Sequence, residues 1–196
     1  TSDFAVFEEG KVVEVGSFPI GGSHITSDIA IGFRTPVAAA EEIKVRYAEV
    51  ALGDKLTRRE NITLGDFVHG DDSVFAVRDL MDIVSARLSD IFELTTKALR
   101  RVGRAGLLPG GVVLTGGVAD IPGIQDLARR ELKLPVEIAR NIAVDEIGDV
   151  LPTRLAIPLG LILWEMRHGG NGFSRGQGAW GGILEGLKRV LRSFVP

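Results

Sequence analysis

The chain has 196 residues, a formal charge of −3 and no cysteine, and 45% of it is hydrophobic. That balance is ordinary for a globular protein and leaves enough apolar sequence for one large domain or two small ones. A chain without cysteine builds no disulfide scaffold, thiolate zinc site or cysteine nucleophile, and a slightly acidic one lacks the footprint of a general nucleic-acid binder. The 25 glycines exceed the usual share of ~7% without low complexity, which predicts many tight turns. The longest apolar runs, such as Leu155 to Met166, fall short of the ~20 residues of a membrane span, and a cytosolic location is expected. The sequence opens Thr1-Ser2-Asp3-Phe4, with no methionine, directly into a strand-like run. A fragment of a longer protein is therefore expected.

Asp3 to Glu8 alternates and is rich in strand formers; Glu9-Gly10 turns, and Lys11 to Phe18 continues as the partner of a hairpin. Gly21-Gly22 breaks the chain, and Ser23 to Phe33 carries Ile25, Ile29 and Phe33 at helical spacing. Thr35-Pro36 reads as an N-cap and an N1 proline opening a helix through Ala40, Ile43 and Tyr47. A mixed, charged region from Leu52 to Val77 holds two short strand-like runs, Asn61 to Leu64 and Ser73 to Val77. Asp79 opens the strongest helix, on which Leu80, Ile83, Val84, Leu88, Ile91, Leu94, Thr95, Ala98 and Val102 keep one stripe for about seven turns.

After Gly103 and the Pro109-Gly110-Gly111 turn, Val112 to Leu114 is a short buried strand ending in Thr115-Gly116-Gly117. Asp120 caps a helix from Ile121 to Leu132, Val136 to Ala139 is another strand, and Pro152 to Met166 is an apolar, hence buried, helix interrupted by Pro158. The order of elements describes an α/β domain with a second unit, roughly residues 38–106, inserted into it.

A strand that ends in two glycines just before a helix can serve a ligand. Without Cβ atoms the backbone admits a flat molecule, and the amides that follow are free to donate. The same pattern is also a plain strand-to-helix turn. A formal G-x-G-x-x-G at Gly176–Gly181 has no strand before it and no acidic residue at the needed distance after it, so a dinucleotide site is rejected. His24, His69 and His168 lie on dissimilar segments without carboxylates at metal spacing, so no metal site is expected. No nucleophile-elbow pattern surrounds any serine, and no catalytic residue is assigned.

Val113-Leu114-Thr115-Gly116-Gly117-Val118-Ala119-Asp120-Ile121-Pro122-Gly123 resembles the adenosine motif of the actin, heat-shock chaperone and sugar-kinase superfamily. Thr1-Ser2-Asp3-Phe4-Ala5-Val6-Phe7 looks like the end of its second phosphate loop. Glu41-Glu42-Ile43-Lys44 looks like the helix that reaches ribose and adenine, and Leu155-Ala156-Ile157-Pro158-Leu159-Gly160-Leu161 sits where the second connecting helix belongs. Within the superfamily, Pro19-Ile20-Gly21-Gly22-Ser23-His24-Ile25-Thr26-Ser27-Asp28-Ile29-Ala30 and Ile83-Val84-Ser85-Ala86-Arg87-Leu88-Ser89-Asp90-Ile91-Phe92-Glu93-Leu94 resemble segments of the FtsA family of bacterial cell-division proteins.

The resemblance implies half of an actin-like (ribonuclease H-like) ATPase fold. Residues 1–37 and 107–166 would form a split subdomain 2A, 38–106 an inserted α+β subdomain 2B, 167–181 a flexible linker and 182–196 an amphipathic helix. It implies ATP with Mg2+ as ligand at a half site. Thr1 would donate to a terminal phosphate, and Gly116, Gly117 and Val118 would lie under the adenosine. Glu41 would accept from the ribose hydroxyls, and Lys44 would add a donor. Read as residues alone, Glu41 and Lys44 are equally a solvated pair one turn apart. Val118 departs from the small residue usual after the glycine pair, and the first phosphate loop and the metal-holding acid are absent from the chain, so no hydrolysis by it alone is expected. Arg78, Arg87 and Asp90 would grip the C-terminal peptide of the tubulin-like FtsZ; otherwise they are exposed charges on a solvated face. Self-association into actin-like filaments and recruitment of later division proteins follow from the family.

The last segment carries its own signal. Ile183, Leu184, Leu187, Val190, Leu191 and Phe194 fall within one arc of roughly 140° on a helical wheel, with Trp180 towards that side. Glu185, Lys188, Arg189 and Arg192 lie opposite. An apolar face rimmed by basic residues suits a helix lying in an anionic membrane interface, or alternatively one docked on protein. Near anionic lipid each basic residue contributes ~1 kcal/mol, so one copy binds weakly and an array binds firmly. The expectation is a tether of FtsZ at the cytoplasmic face of the bacterial inner membrane, at the division site. The alternatives are a kinase or chaperone ATPase of the same superfamily, or a PilM-like pilus-assembly protein.

Overall fold

The computed structural model describes residues 1–50, 60–139, 142–143, 150–151 and 153–168. Residues 169–181 of the expected linker and the whole of the expected amphipathic helix, with Trp180, Ile183, Leu184, Leu187, Lys188, Arg189, Leu191, Arg192 and Phe194, lie outside the described residues.

The hairpin forms as the alternation predicts. Strand β1 (Ser2–Glu8) pairs antiparallel with β2 (Lys11–Phe18), with a bulge at Val6/Phe7 that leaves Val13 unmatched. Glu9 and Gly10 are both left-handed, the backbone of a two-residue turn that matches strand twist. One face of the hairpin packs: Phe4 stacks on Phe18 with ring centroids 5.3 Å apart, and Val6 is buried. The other face exposes Phe7, Val12 and Val15.

Helix α1 (Gly22–Gly32) buries Ile25 and Ile29, and Phe33 just beyond it stacks on Phe75 at 4.3 Å. Helix α2 (Val37–Tyr47) turns Ala39, Ala40 and Ile43 inward against α1. It starts one residue later than the Thr35 cap predicts. Pro36 is the N-cap, with ψ near 146°, and the Pro36 carbonyl accepts from Ala40 N at 3.0 Å. The Thr35 hydroxyl is buried and has no hydrogen-bond partner among the described residues, so it caps nothing.

Strands β3 (Asn61–Thr63) and β4 (Val74–Ala76) pair antiparallel and bury Ile62; a single 3-10 turn, Leu64–Asp66, follows β3. β4 runs straight into α3 (Val77–Arg101), two residues ahead of Asp79, which lies in the first turn. Leu80, Val84, Leu88 and Ile91 are buried as the stripe predicts, and Met81, Phe92 and Leu99 widen it because α3 packs on both α1 and α4.

Strand β5 (Val112–Leu114) pairs with β6 (Val136–Ile138). Between them, residues Gly117–Asp120 form a 3-10 turn, and α4 (Ile124–Leu132) starts three residues after the Asp120 cap predicts. The reason is Gly123: it is left-handed (φ 84°), so the helix cannot pass through it, and a Cβ there would overlap the Val50 carbonyl. Gln125 and Arg129 of α4 both donate to the Val136 carbonyl, at 2.7 and 3.0 Å, tying the helix to β6.

The chain divides into two compact units, residues 1–114 with 118–137, and residues 115–117 with 138–196. The second contains the antiparallel pair β7 (Ile142–Ala143) and β8 (Val150–Leu151), neither of them foreseen in the sequence. A 3-10 turn, Thr153–Leu155, leads into α5 (Ala156–His168). Pro158 does not interrupt α5 but sits in its first turn, where the missing N–H has no partner to lose. The expectation of a buried helix is corrected too. Leu159 is buried, but Ile157, Leu161 and Trp164 are exposed, because a helix apolar all round turns only one side to its neighbours. Among the described residues no helix is long and apolar enough to cross a membrane.

Candidate functional site

The site is built around Gly21-Gly22, where the chain leaves the hairpin for α1. Gly21 is fully extended (φ −177°), a conformation open to any residue. What it supplies is space. A Cβ on Gly21 would overlap the Thr1 carbonyl, and one on Gly22 would lie 2.8 Å from Val118 Cγ2 and 3.9 Å from Lys44 Nζ. Thr1, Lys44 and Val118, drawn from three distant parts of the sequence, therefore meet at one turn. The turn itself is held by His24: Gly21 N donates to His24 Nδ1 at 3.2 Å, and His24 N donates to the Gly21 carbonyl at 2.9 Å. The Thr1 hydroxyl donates to Asp3 Oδ2 at 3.2 Å on the exposed side.

Helix α2 brings Glu41 and Lys44 to the same place, one turn apart on one face. Lys44 Nζ donates to Glu41 Oε2 at 2.7 Å, to Thr26 Oγ1 at 2.9 Å and to the Gly22 carbonyl at 3.3 Å. The Thr26 hydroxyl also contacts Glu41 Oε2 and, at 3.2 Å, the Gly22 carbonyl. Lys44 is largely enclosed, with its side chain 13% exposed, whereas that of Glu41 is 50% exposed. Burial pushes the Glu41 carboxyl up. The Lys44 and Thr26 hydrogen bonds and the Lys44 charge outweigh it, and the group ends below the ordinary glutamate range. The outcome is an anchored carboxylate whose Oε1 carries no hydrogen bond among the described residues.

Thr1, Glu41, Lys44 and Val118 are thus gathered within the first unit. Gly116 and Gly117 belong to the second. Gly116 is left-handed (φ 94°) with open space where a Cβ would stand, and Gly117 opens the 3-10 turn with Arg154 Cβ 3.9 Å from its own Cβ position. Thr26 was not singled out from the sequence. The signal was there: a hydroxyl on the stripe of Ile25, Ile29 and Phe33, where an apolar residue belongs.

A second polar cluster joins α3 to α1. Arg87 Nε and Nη2 fork onto Asp28 Oδ2 and Oδ1 at 2.6 and 2.8 Å, and Nη1 reaches Asp90 Oδ2 at 3.1 Å. The Asp28 hydrogen bonds, working against burial and helped by the charges of Asp28 and Asp90, raise the Arg87 guanidinium further above its ordinary value. Arg78 stands exposed in the first turn of α3. Among the described residues no three His, Cys, Asp or Glu gather as a metal ion would require.

Solved structures with the same fold define the class. MreB 5 of Spiroplasma citri bound to AMPPNP matches 86% of this chain and 50% of its own, at a TM-score of 0.63 and 18% identity. Ethanolamine utilization protein EutJ from Carboxydothermus hydrogenoformans matches 82% of this chain and 44% of its own, at 0.53 and 21%. The chain is a mixed α/β protein of the actin-like class.

The sequence comparisons go further. The family model of cell division protein FtsA matches residues 1–152. Cell division protein FtsA of Pseudomonas aeruginosa is 33% identical over 175 residues, 89% of this chain and 42% of its own length. That of Neisseria meningitidis is 32% identical over 201 residues, 98% of this chain and 48% of its own. That of Bacillus subtilis is 34% identical over 139 residues, 71% of this chain and 31% of its own. The chain belongs to the FtsA family of cell-division proteins, and it spans less than half the length of these relatives.

Proposed function

We propose that this chain is part of an ATP-binding, filament-forming tether that holds FtsZ polymers on the cytoplasmic face of the bacterial inner membrane during division. The observation that carries the nucleotide part is the convergence of Thr1, Glu41, Lys44 and Val118 on the Gly21-Gly22 turn. A half-exposed carboxylate, held through one oxygen by Lys44 and Thr26 and with the other oxygen unbonded among the described residues, suits the hydroxyls of a ribose. The solved MreB 5 structures bound to AMPPNP and to ADP share the fold and support this reading. Mg2+ would arrive with the phosphates of ATP.

In this reading residues 38–106 form the inserted subdomain, inside the split domain of residues 1–37 and 107–166, and that subdomain takes the mixed apolar and charged C-terminal peptide of FtsZ near Arg78, Arg87 and Asp90. Residues 182–196 reach the lipid. The membrane part is tested by co-sedimentation with vesicles containing anionic phosphatidylglycerol. Deleting residues 182–196 should abolish binding that raised salt weakens; unchanged binding removes the tether from the proposal. For the peptide, Arg87→Glu should abolish binding of a synthetic FtsZ tail. Asp28→Asn is the control, since it frees Arg87 without reversing its charge.

A further inference from the structure

Thr26 lies on the buried side of α1 and is 3% exposed, between Ile25 and Ile29, which are fully enclosed. A hydroxyl buried there costs free energy unless it is bonded. Its three polar neighbours define the direction of every bond. Lys44 carries only donors, so it must donate to Oγ1, at 2.9 Å. A threonine hydroxyl has one proton, left for either the Glu41 carboxylate or the Gly22 carbonyl. Both lie in contact with it, and the ionised carboxylate is the stronger acceptor. Thr26, Lys44 and Glu41 thus close a triangle in which Lys44 and Thr26 both donate to the same oxygen, Glu41 Oε2. Among the described residues Oε1 is left without a bond, on a side chain that is 50% exposed.

We infer that Thr26 is a positioning residue of the nucleotide site: it locks Glu41 Oε2 against Lys44 so that Oε1 faces the vicinal hydroxyls of a ribose. The inference rests on the nucleotide reading above and adds a selectivity to it, ribonucleotide over 2′-deoxyribonucleotide. A locked oxygen in one place accepts from both hydroxyls of the diol. Without the Thr26 hydroxyl, the carboxylate turns about its last bond, Lys44 engages either oxygen, and the second hydroxyl is no longer read.

The test is calorimetric titration of the complete gene product with ATP and with 2′-deoxy-ATP. The unaltered protein should prefer ATP by about tenfold, the worth of one hydrogen bond to a charged acceptor. Thr26→Val keeps the shape and removes the hydroxyl; it should bind ATP about five- to tenfold more weakly and lose most of the preference. Thr26→Ala is the second removal, should valine unsettle the fold, and Thr26→Ser should restore both affinity and preference. Melting curves run alongside, since a purely structural hydroxyl lowers Tm without moving the ratio between the two nucleotides. If the removals keep that ratio while Glu41→Gln loses it, Thr26 has no positioning role and the nucleotide site stands. If the unaltered protein binds neither nucleotide, or Glu41→Gln binds both as well as it does, the nucleotide reading falls and this inference with it.

Discussion

At the scale of single residues, two buried or half-buried polar groups pull stability in opposite directions. Glu41 is held ionised by Lys44 and Thr26, so its folded pKa lies below its unfolded one. Between those two values the unfolded chain binds the extra proton, and stability rises with pH. The contribution is complete above the unfolded value and is lost as pH falls through the folded one. Glu41→Gln should therefore lower Tm near neutrality, and the gap to the unaltered protein should close as pH is taken from about 5 to about 3. A gap that stays constant over that range would mean that the carboxylate charge contributes nothing. Thr35 is the opposite case, a buried hydroxyl with no hydrogen-bond partner among the described residues. Thr35→Val should stabilise the protein by up to about 1 kcal/mol, read as a higher urea midpoint at unchanged slope. A loss of that size instead would reveal a partner for the hydroxyl, such as an ordered water.

Elements were legible where a periodicity runs through them. The hairpin followed from alternation and a Glu-Gly turn, and α3 from a stripe repeated for about seven turns. Helix starts were less legible, because the cap rules read one residue and the backbone answers to neighbours far away. Thr35-Pro36 and Asp120 both match the cap pattern, yet α2 starts from Pro36 and α4 waits for Gly123, which lies against Val50. The candidate site divides the same way. Glu41 and Lys44 were readable as a pair on one helix face, whereas Thr26 and Asp28 act across gaps of 15 and 59 residues that no local pattern encodes.

The Arg87–Asp28 fork also has a measurable worth at this scale. Both side chains are 26% exposed, so the pair is neither fully screened nor fully desolvated. A double-mutant cycle with Arg87→Ala and Asp28→Ala should give a coupling of about 1 kcal/mol. A coupling near zero would mean that the fork does not hold α1 to α3.

For the whole molecule, the opening figures average over unlike parts. The formal charge of −3 hides a basic C-terminal segment on an acidic remainder, and the surplus of glycine falls at the close approach around Gly21-Gly22 and in the run from residue 169. In the proposed tether, a single tail with a net two positive charges contributes only about 2 kcal/mol of electrostatic attraction, so attachment depends on many tails acting together. Dilution of the protein on vesicles should release it steeply rather than in proportion; a simple one-site isotherm would argue against filaments.

Helix α1 carries Thr26 and Asp28 only two residues apart, the first on the Glu41–Lys44 pair and the second on Arg87. A helix is stiff over so short a distance, so whatever shifts one grip shifts the other. If the two sites proposed above are real, thermodynamic linkage makes them accountable to each other: the factor by which ATP changes the affinity for the FtsZ tail must equal the factor by which the tail changes the affinity for ATP. Titration of each ligand in the presence of the other should return one number from both directions, and Asp28→Ala should bring it to one. A number already at one in the unaltered protein would mean that α1 carries two neighbouring sites and no message between them.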